Sequence, residues 1–248
     1  MKIKLNNLLL LREEVSIKLT WWVKMDILIS DLKRVPKLIL GFIIVAVGLL
    51  FSDKSNLGML PWGVFHTGLS KLTHIKFGQI VQLVGIIVLI FSVLVVKVKP
   101  GIGTLFDILF VGFTFDFIDR FHVINEHENI YIQIIYLILG LLLISFGTAL
   151  YVSCKLGSGP RDGLFIGFSR ITNISVKYTK PLIEVTVMIV GYLLDGDFGI
   201  GTFVIAFSSG YFINFFFKVL KFDPKTAKQR QFTDYHIKKK KMIPTIKM

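Results

Sequence analysis

The chain has 248 residues, of which 53% are hydrophobic, and a formal net charge of +13. Its mean hydropathy is +0.69. A soluble domain of this size could not bury so much apolar surface and still cover it with polar residues, so the composition predicts an all-α integral membrane protein. The 29 lysines and arginines lie at the chain ends and between apolar runs rather than along one helix face, which argues against nucleic-acid binding.

The first 35 residues form a basic segment without the apolar length of a signal peptide. Its leucine-rich piece, 8–11, is ended by Arg12 and two glutamates. Trp21 and Trp22 lie beside lysines, a pattern that favours a helix in the headgroup layer of the bilayer. A translation start at Met25 explains the same segment equally well.

Six apolar runs each have about the length that a helix needs to cross a bilayer. They cover residues 36–52, 78–98, 102–119, 130–152, 179–195 and 200–218. Two shorter segments, led by Pro61 and Pro160, follow the first and fourth runs and predict short helices that stay on one side or enter the bilayer and return. Eight spans would result if both short segments crossed, but each is shorter than the bilayer requires.

The chain is predicted to contain an internal repeat. A shift of 99 residues pairs Pro61 with Pro160, and a shift of 98 pairs the segment 101–104 with 199–202, both of which read Gly-Ile-Gly-Thr. The matches fall mainly on residues that set backbone geometry. We expect the following of these to serve backbone geometry or packing: Gly58, Pro61, Gly101, Gly103, Gly157, Gly159, Pro160, Gly199 and Gly201.

The repeat divides the chain into five parts: a basic N-terminal segment at 1–35, a first repeat at 36–120, a connector at 121–139, a second repeat at 140–219 and a basic tail at 220–248. Three crossings in each repeat would invert the second copy relative to the first. With both termini cytoplasmic, 25 of the 29 lysines and arginines face the cytoplasm. This asymmetry follows the positive-inside rule and favours six spans in a multi-pass protein of the cell membrane.

The segment Leu156-Gly157-Ser158-Gly159-Pro160-Arg161-Asp162, together with Glu184 and Gly199-Ile200-Gly201-Thr202, resembles the YczE/YyaS/YitT-like family of bacterial integral membrane proteins. The likeness extends over residues 36–219. In that family a G-x-G-P-[WR]-D segment follows the first helix of each half. The first half of this chain departs from it, with Leu60 at the second glycine and Gly63 at the aspartate. The resemblance implies a bacterial membrane protein, in some members a suspected transporter.

Ionisable and polar residues within the apolar runs are the candidates for a substrate or ion site, because such groups are costly in a bilayer unless paired or hydrated. These are Asp107, Asp116, Asn214, Glu184, Arg161, Asp162, Thr104 and Thr202. Asp107 and Asp116 are nine residues apart, so they point to nearly opposite faces of one helix and cannot form one site alone. Asn214 occupies the repeat position of Asp116, which predicts either a shared site near a pseudo-two-fold axis or a simple interhelical hydrogen bond.

The remaining candidates also have structural alternatives. Glu184 follows Lys180 by four residues, which permits a local ion pair. Arg161 and Asp162 begin a short helix, where they would attract an anion or serve only to cap the helix. Thr104 and Thr202 would cap their helices or coordinate an ion.

These observations favour a small-solute or ion transporter, with a homodimer as a compatible assembly. The alternative is a non-transporting membrane accessory or scaffold protein. The single cysteine, Cys154, predicts a packing role, and no cysteine pair accompanies the histidines. We therefore expect no metal site or cofactor, and no enzymatic activity, since no histidine–carboxylate pair with a nucleophile is evident.

Overall fold

The computed structural model describes residues 25–157, 159–174, 176–223 and 227–235. The predictions for the first 24 residues and for the end of the basic tail, 236–248, lie outside this part of the chain. Within the described ranges the regular secondary structure is entirely helical, as the composition predicts.

In the described part of the chain, a short first helix is followed by long helices and by two short Pro-led ones. In chain order the helices are α1 (25–32), α2 (Val35–Lys54), α3 (Pro61–Thr73), α4 (Phe77–Leu94), α5 (Ile102–Asp119), α6 (Ile130–Ser153), α7 (Pro160–Thr172), α8 (Val176–Leu193) and α9 (Ile200–Val219), followed by a 3₁₀ turn at Phe232–Tyr235. The six predicted apolar runs fall on α2, α4, α5, α6, α8 and α9. The two predicted short helices are confirmed as α3 and α7, each with a proline in its first turn.

Among the residues that the structure describes, four helical segments are long and apolar enough to cross a membrane: Met25–Lys54, Phe77–Leu94, Ile130–Ser153 and Ile200–Val219. The other two long helices are α5 and α8, each of 18 residues, and charged residues lie within both. Three aspartates lie on α5, and Lys180 and Glu184 lie on α8. These two helices therefore carry the candidates Asp107, Asp116 and Glu184.

The centre of the molecule is the pair α2 and α6, which pack backbone to backbone through glycines. A Cβ atom at Gly48 would lie 2.7 Å from the Ile144 nitrogen, and one at Gly147 would lie 2.7 Å from the Gly41 carbonyl oxygen. Such close approach is possible only without side chains at these positions. Cys154, at the end of α6, is buried as predicted.

Each short helix packs against a helix of the other half of the chain. A Cβ atom at Gly191 on α8 would meet the Phe65 backbone of α3 at 2.5 Å, and one at Gly167 on α7 would meet the Val96 side chain, just beyond α4, also at 2.5 Å. The two short helices are thus exchanged between halves, which brings their N-terminal ends into the middle of the molecule.

The two halves differ in how their last two helices pack. A Cβ atom at Gly112 on α5 would lie against the Gly78 carbonyl oxygen of α4, and Gly85 on α4 lies against Ile108 of α5. For Gly210, which is at the position matching Gly112 in the second half, no heavy atom of a neighbouring element in the described part of the chain lies within 4 Å of the place where a Cβ atom would lie. Helices α4 and α5 are therefore closely packed, whereas α8 and α9 are separated along this face.

Substitutions at Gly112 and Gly210 test this difference in packing between the two halves. We expect Gly112→Ala to destabilise the protein by about 1 to 3 kcal/mol, because the new methyl group would collide with the α4 backbone. Gly210→Ala is the matched control, and we expect it to be neutral or to stabilise by up to about 1 kcal/mol through helix propensity. Thermal unfolding of both variants in detergent measures the difference, and equal effects would contradict the asymmetry.

Candidate functional site

A cavity of about 310 Å³ lies where the N-terminal ends of α3 and α7 meet. Its walls come from the middle of the molecule, including α2, α5, α6, α8 and α9. Of the sequence-predicted candidates, Asp107, Arg161 and Glu184 line it. A site of this size suits a small polar solute.

The N-terminal end of α3 presents buried hydrogen-bond donors without acceptors. Its N-cap residue, Leu60, makes no side-chain capping bond, and its first turn has no acidic residue. Trp62 is 4% exposed, and its indole Nε1 has no hydrogen-bond partner in the described part of the chain. Nor do the described residues supply a backbone acceptor for the N–H groups of Trp62 and Gly63. Three buried donors therefore belong to the first turn of α3, at the positive end of the helix dipole.

Arg161, in the first turn of α7, stacks over the ring of Trp62. The guanidinium carbon is 5.1 Å from the ring centroid. The two residues occupy matching positions of the Pro-led segments, 99 residues apart. Positive charge from α7 is thus added to the donors of α3, an arrangement that favours a bound anion.

A carboxylate already faces the N-terminal end of α7. The Asp107 Oδ2 atom lies 2.7 Å from where a Cβ atom of Gly159, the N-cap residue, would be. At the matching position of α9 the chain has Ile205, which is buried and lines the same cavity. The carboxylate of Asp107 is therefore not repeated opposite α3, and the α3 end lacks a corresponding negative charge from α9.

The side of the cavity between α8 and α9 is polar and partly exposed. Lys180 and Glu184 form the predicted ion pair, with 3.9 Å between Nζ and Oε1, and both line the cavity. Ser209 and Gly210 form the opposite wall on α9. The cavity is thus open where the two halves of the fold differ.

Loops on both sides of the cavity are held by the Gly-Ile-Gly-Thr segments. The Gly201 N–H donates to the Leu57 carbonyl at 2.6 Å, and the Gly103 N–H donates to the Leu156 carbonyl at 2.8 Å. Thr104 and Thr202 are buried, and each hydroxyl oxygen accepts a hydrogen bond from the glycine N–H three residues earlier, at 3.1 and 3.2 Å. These threonines cap their helices outside the cavity wall.

The glycines of the predicted packing set lie at these contacts. Gly58 and Gly157 have φ values of +107° and +125°, a region that favours glycine. A Cβ atom at Gly157 would meet Gly101 at 2.9 Å, and one at Gly199 would meet the Leu57 carbonyl oxygen at 2.4 Å. The loops therefore reach the opposite half only because side chains are absent.

The other candidates lie away from the cavity. Asp116 accepts a hydrogen bond from the Gly78 N–H, 2.8 Å from Oδ1, at the start of α4. Asn214 is exposed on α9. The backbone of Asp162 is in the first turn of α7, but its side chain lies outside the described residues. In the described part, no group of three or more histidine, cysteine or acidic side chains is arranged to hold a metal ion.

Sequence reasoning missed the role of Trp62 in the cavity and the buried His66 one turn later. His66 is 1% exposed, contacts the rings of Trp62, Phe65 and Phe77, and its Nε2 has no hydrogen-bond partner among the described residues. The sequence did show that Trp62 and Arg161 each directly follow the proline of a Pro-led segment. It did not reveal that the two residues would meet.

Comparisons with known proteins agree with the resemblance inferred from the motifs. A family model described as "Family of unknown function (DUF6198)" matches residues 32–218. The uncharacterized membrane protein YczE of Bacillus subtilis is 32% identical over 177 residues, which cover 71% of this chain and 81% of YczE. The uncharacterized protein YyaS of the same organism is 26% identical over 184 residues, covering 73% and 91%.

An uncharacterized protein of Haemophilus influenzae is 29% identical over 202 residues, which cover 81% of this chain and 91% of that protein. No solved structure matches the chain. The apolar helices and the similarity to YczE together make this chain a membrane protein.

Proposed function

Since the chain belongs to DUF6198, a family of unknown function, we propose on the geometry of its central cavity that it is a transporter and not an enzyme. The proposed substrate is a small solute with an anionic group, such as a carboxylate. The observation that carries this proposal is the group of buried, acceptor-free donors at the N-terminal end of α3, beside Arg161.

The proposed topology has six crossings in two inverted repeats, with α3 and α7 entering the bilayer and returning, and with both termini cytoplasmic. Matching contacts in the two halves support the repeat on which this topology is based. The Ser70 and Ser169 hydroxyls each donate to the carbonyl five residues later at 2.6 Å, and each short helix ends at a residue in the left-handed conformation, His74 and Asn173. The distribution of lysine and arginine supports the orientation.

Alternating access is supported by the difference between the two pairs of helices. In transporters built from inverted repeats, one repeat closes the site on one side while the other opens it on the opposite side. The close packing of α4 on α5 corresponds to the closed side, and the separated α8 and α9 correspond to the open side. In the proposed orientation the open side faces the cytoplasm.

The substrate class follows from charge and donor placement. Helix N-terminal ends bind anions through unpaired N–H groups and the helix dipole. The α7 end is already faced by Asp107, so the α3 end is the place for the anionic group of the solute. Lys180 and Glu184 on the open side then contact the remainder of the solute.

Matched cysteines test the topology. In a Cys154→Ala background, Thr73→Cys and Thr172→Cys place thiols at equivalent exposed ends of α3 and α7. We expect an impermeant maleimide to label position 73 from outside intact cells and position 172 only after the cells are opened, because inversion puts the two ends on opposite faces. Labelling of both from one side would mean that the repeats are parallel.

Trp62 provides a binding assay, because the chain has three tryptophans and Trp21→Phe with Trp22→Phe leaves one. We expect a saturable change in its fluorescence with small carboxylates from acetate to succinate. Arg161→Gln should weaken this binding about tenfold or more through loss of a charged contact. Arg120→Gln, which removes a charge from the exposed end of α5, is the control. The proposed substrate class is wrong if no carboxylate causes a saturable change in fluorescence, or if Arg161→Gln and Arg120→Gln lose binding affinity equally.

Transport itself is tested in proteoliposomes with and without a pH gradient, by the uptake of the carboxylates that bind. We expect Asp107→Asn to lower uptake about tenfold or more, because it removes the carboxylate at the α7 end of the cavity. Asp195→Asn is the control, an equal change of charge in an exposed loop. Binding without uptake for any solute, with a membrane protein recovered by crosslinking, would favour the accessory or scaffold alternative.

A further inference from the structure

A second cavity, of about 440 Å³, lies apart from the central one and is strongly basic. Three chain segments meet around it: the α4–α5 loop, the side of α7, and the segment 227–231. Each segment supplies cations, which are Lys97, Lys99, Arg170, Lys228 and Arg230. In the proposed orientation this cavity is at the cytoplasmic surface.

The segment 227–231 is held in place by hydrogen bonds to the loops beside it. The Arg230 N–H donates to the Lys155 carbonyl at 3.0 Å, and the Phe232 N–H donates to the Pro100 carbonyl at 3.0 Å. The Gln229 side chain donates to the Val152 carbonyl at 3.1 Å and accepts from the Gly157 N–H at 3.3 Å. These bonds hold the backbone of Lys228 and Arg230 opposite the loop lysines. The fold itself therefore brings the positive charges together.

Few carboxylates balance this charge. Asp31 is 2% exposed and pairs with Arg230, 3.2 Å from its Nε, and with Arg34. Asp234 accepts a hydrogen bond from the Gln231 N–H. Within the described part of the chain, no ion pair involves Lys97, Lys99, Arg170 or Lys228. All four are exposed, so a soluble ligand or a lipid headgroup can reach them.

The positive-inside rule accounts for basic residues in each cytoplasmic loop, but not for their convergence on one cavity. Like charges brought together are unfavourable, and an anion with several negative oxygens relieves that cost. Lys97 also adopts the left-handed conformation, with φ of +54°, which is uncommon for a residue other than glycine. The loop therefore holds two lysines beside the cavity at some conformational cost.

We propose that this second cavity binds a phosphate group, supplied either by an anionic phospholipid or by a soluble phosphate compound. Phosphate fits the site because it carries up to two charges and several acceptor oxygens, which match the guanidinium of Arg170 and the lysine ammonium groups around it. The proposal does not depend on transport through the central cavity.

The test uses the full-length protein in a neutral detergent. Binding of inorganic phosphate is measured by calorimetry, and retention of phosphatidylglycerol against phosphatidylcholine by native mass spectrometry. The cavity variant is Lys97→Gln, Lys99→Gln and Arg170→Gln. The control variant is Lys33→Gln, Lys37→Gln and Lys218→Gln, which removes the same charge from exposed positions outside the cavity.

We expect the cavity variant to lose about tenfold or more in affinity, and the control to change by less than about twofold. Saturable binding of inorganic phosphate identifies a soluble ligand, whereas selective retention of phosphatidylglycerol alone identifies a headgroup; both support the site. Equal losses in the two variants, or no binding of either probe, would overturn it. If the triple variant does not fold, Arg170→Gln should weaken binding while Arg170→Lys retains it within about threefold.

Discussion

The structure depends on how two irregular loops in an apolar protein satisfy their buried backbone groups. Unpaired N–H and C=O groups are costly where water is scarce, so a loop can enter such a region only if another part of the chain supplies partners. Here each loop receives a hydrogen bond from the Gly-Ile-Gly-Thr segment of the other half. Because these loops lead directly into Pro61 and Pro160, the same bonds determine where α3 and α7 begin and direct both ends to one cavity.

The function proposed for the cavity rests on positions at which the two halves of the chain have different residues. Gly85 allows α4 to approach α5, but the residue at that position of α8 is Glu184, which lines the cavity. Asp107 faces the start of α7, but its counterpart on α9 is Ile205. Matching sequence positions thus carry different charges, and this difference leaves the α7 end faced by a carboxylate and the α3 end with donors that have no acceptor among the described residues.

Much of the fold could be predicted because hydrophobic length and proline position are local properties of the sequence. The long helices follow from the apolar runs, and Pro61 and Pro160 mark where the short helices start. The site could be predicted only in part. Asp107, Arg161 and Glu184 were identified as costly charges, but the contact of Arg161 with Trp62 depends on how two segments 99 residues apart pack. The docking of 227–235 was not predictable, since it rests on hydrogen bonds of the backbone and of the Gln229 side chain, and on the Arg230–Asp31 ion pair, rather than on an apolar pattern.

Helix α7 connects the two charged regions of the molecule. Arg161 lies at its N-terminal end in the central cavity, and Arg170, nine residues later, lies at the basic cavity, roughly 14 Å along the helix axis. A helix of this length moves as one body, because its backbone hydrogen bonds are made within it. The backbone of α7 therefore fixes the spacing between these two cations, and so between the two cavities that they line.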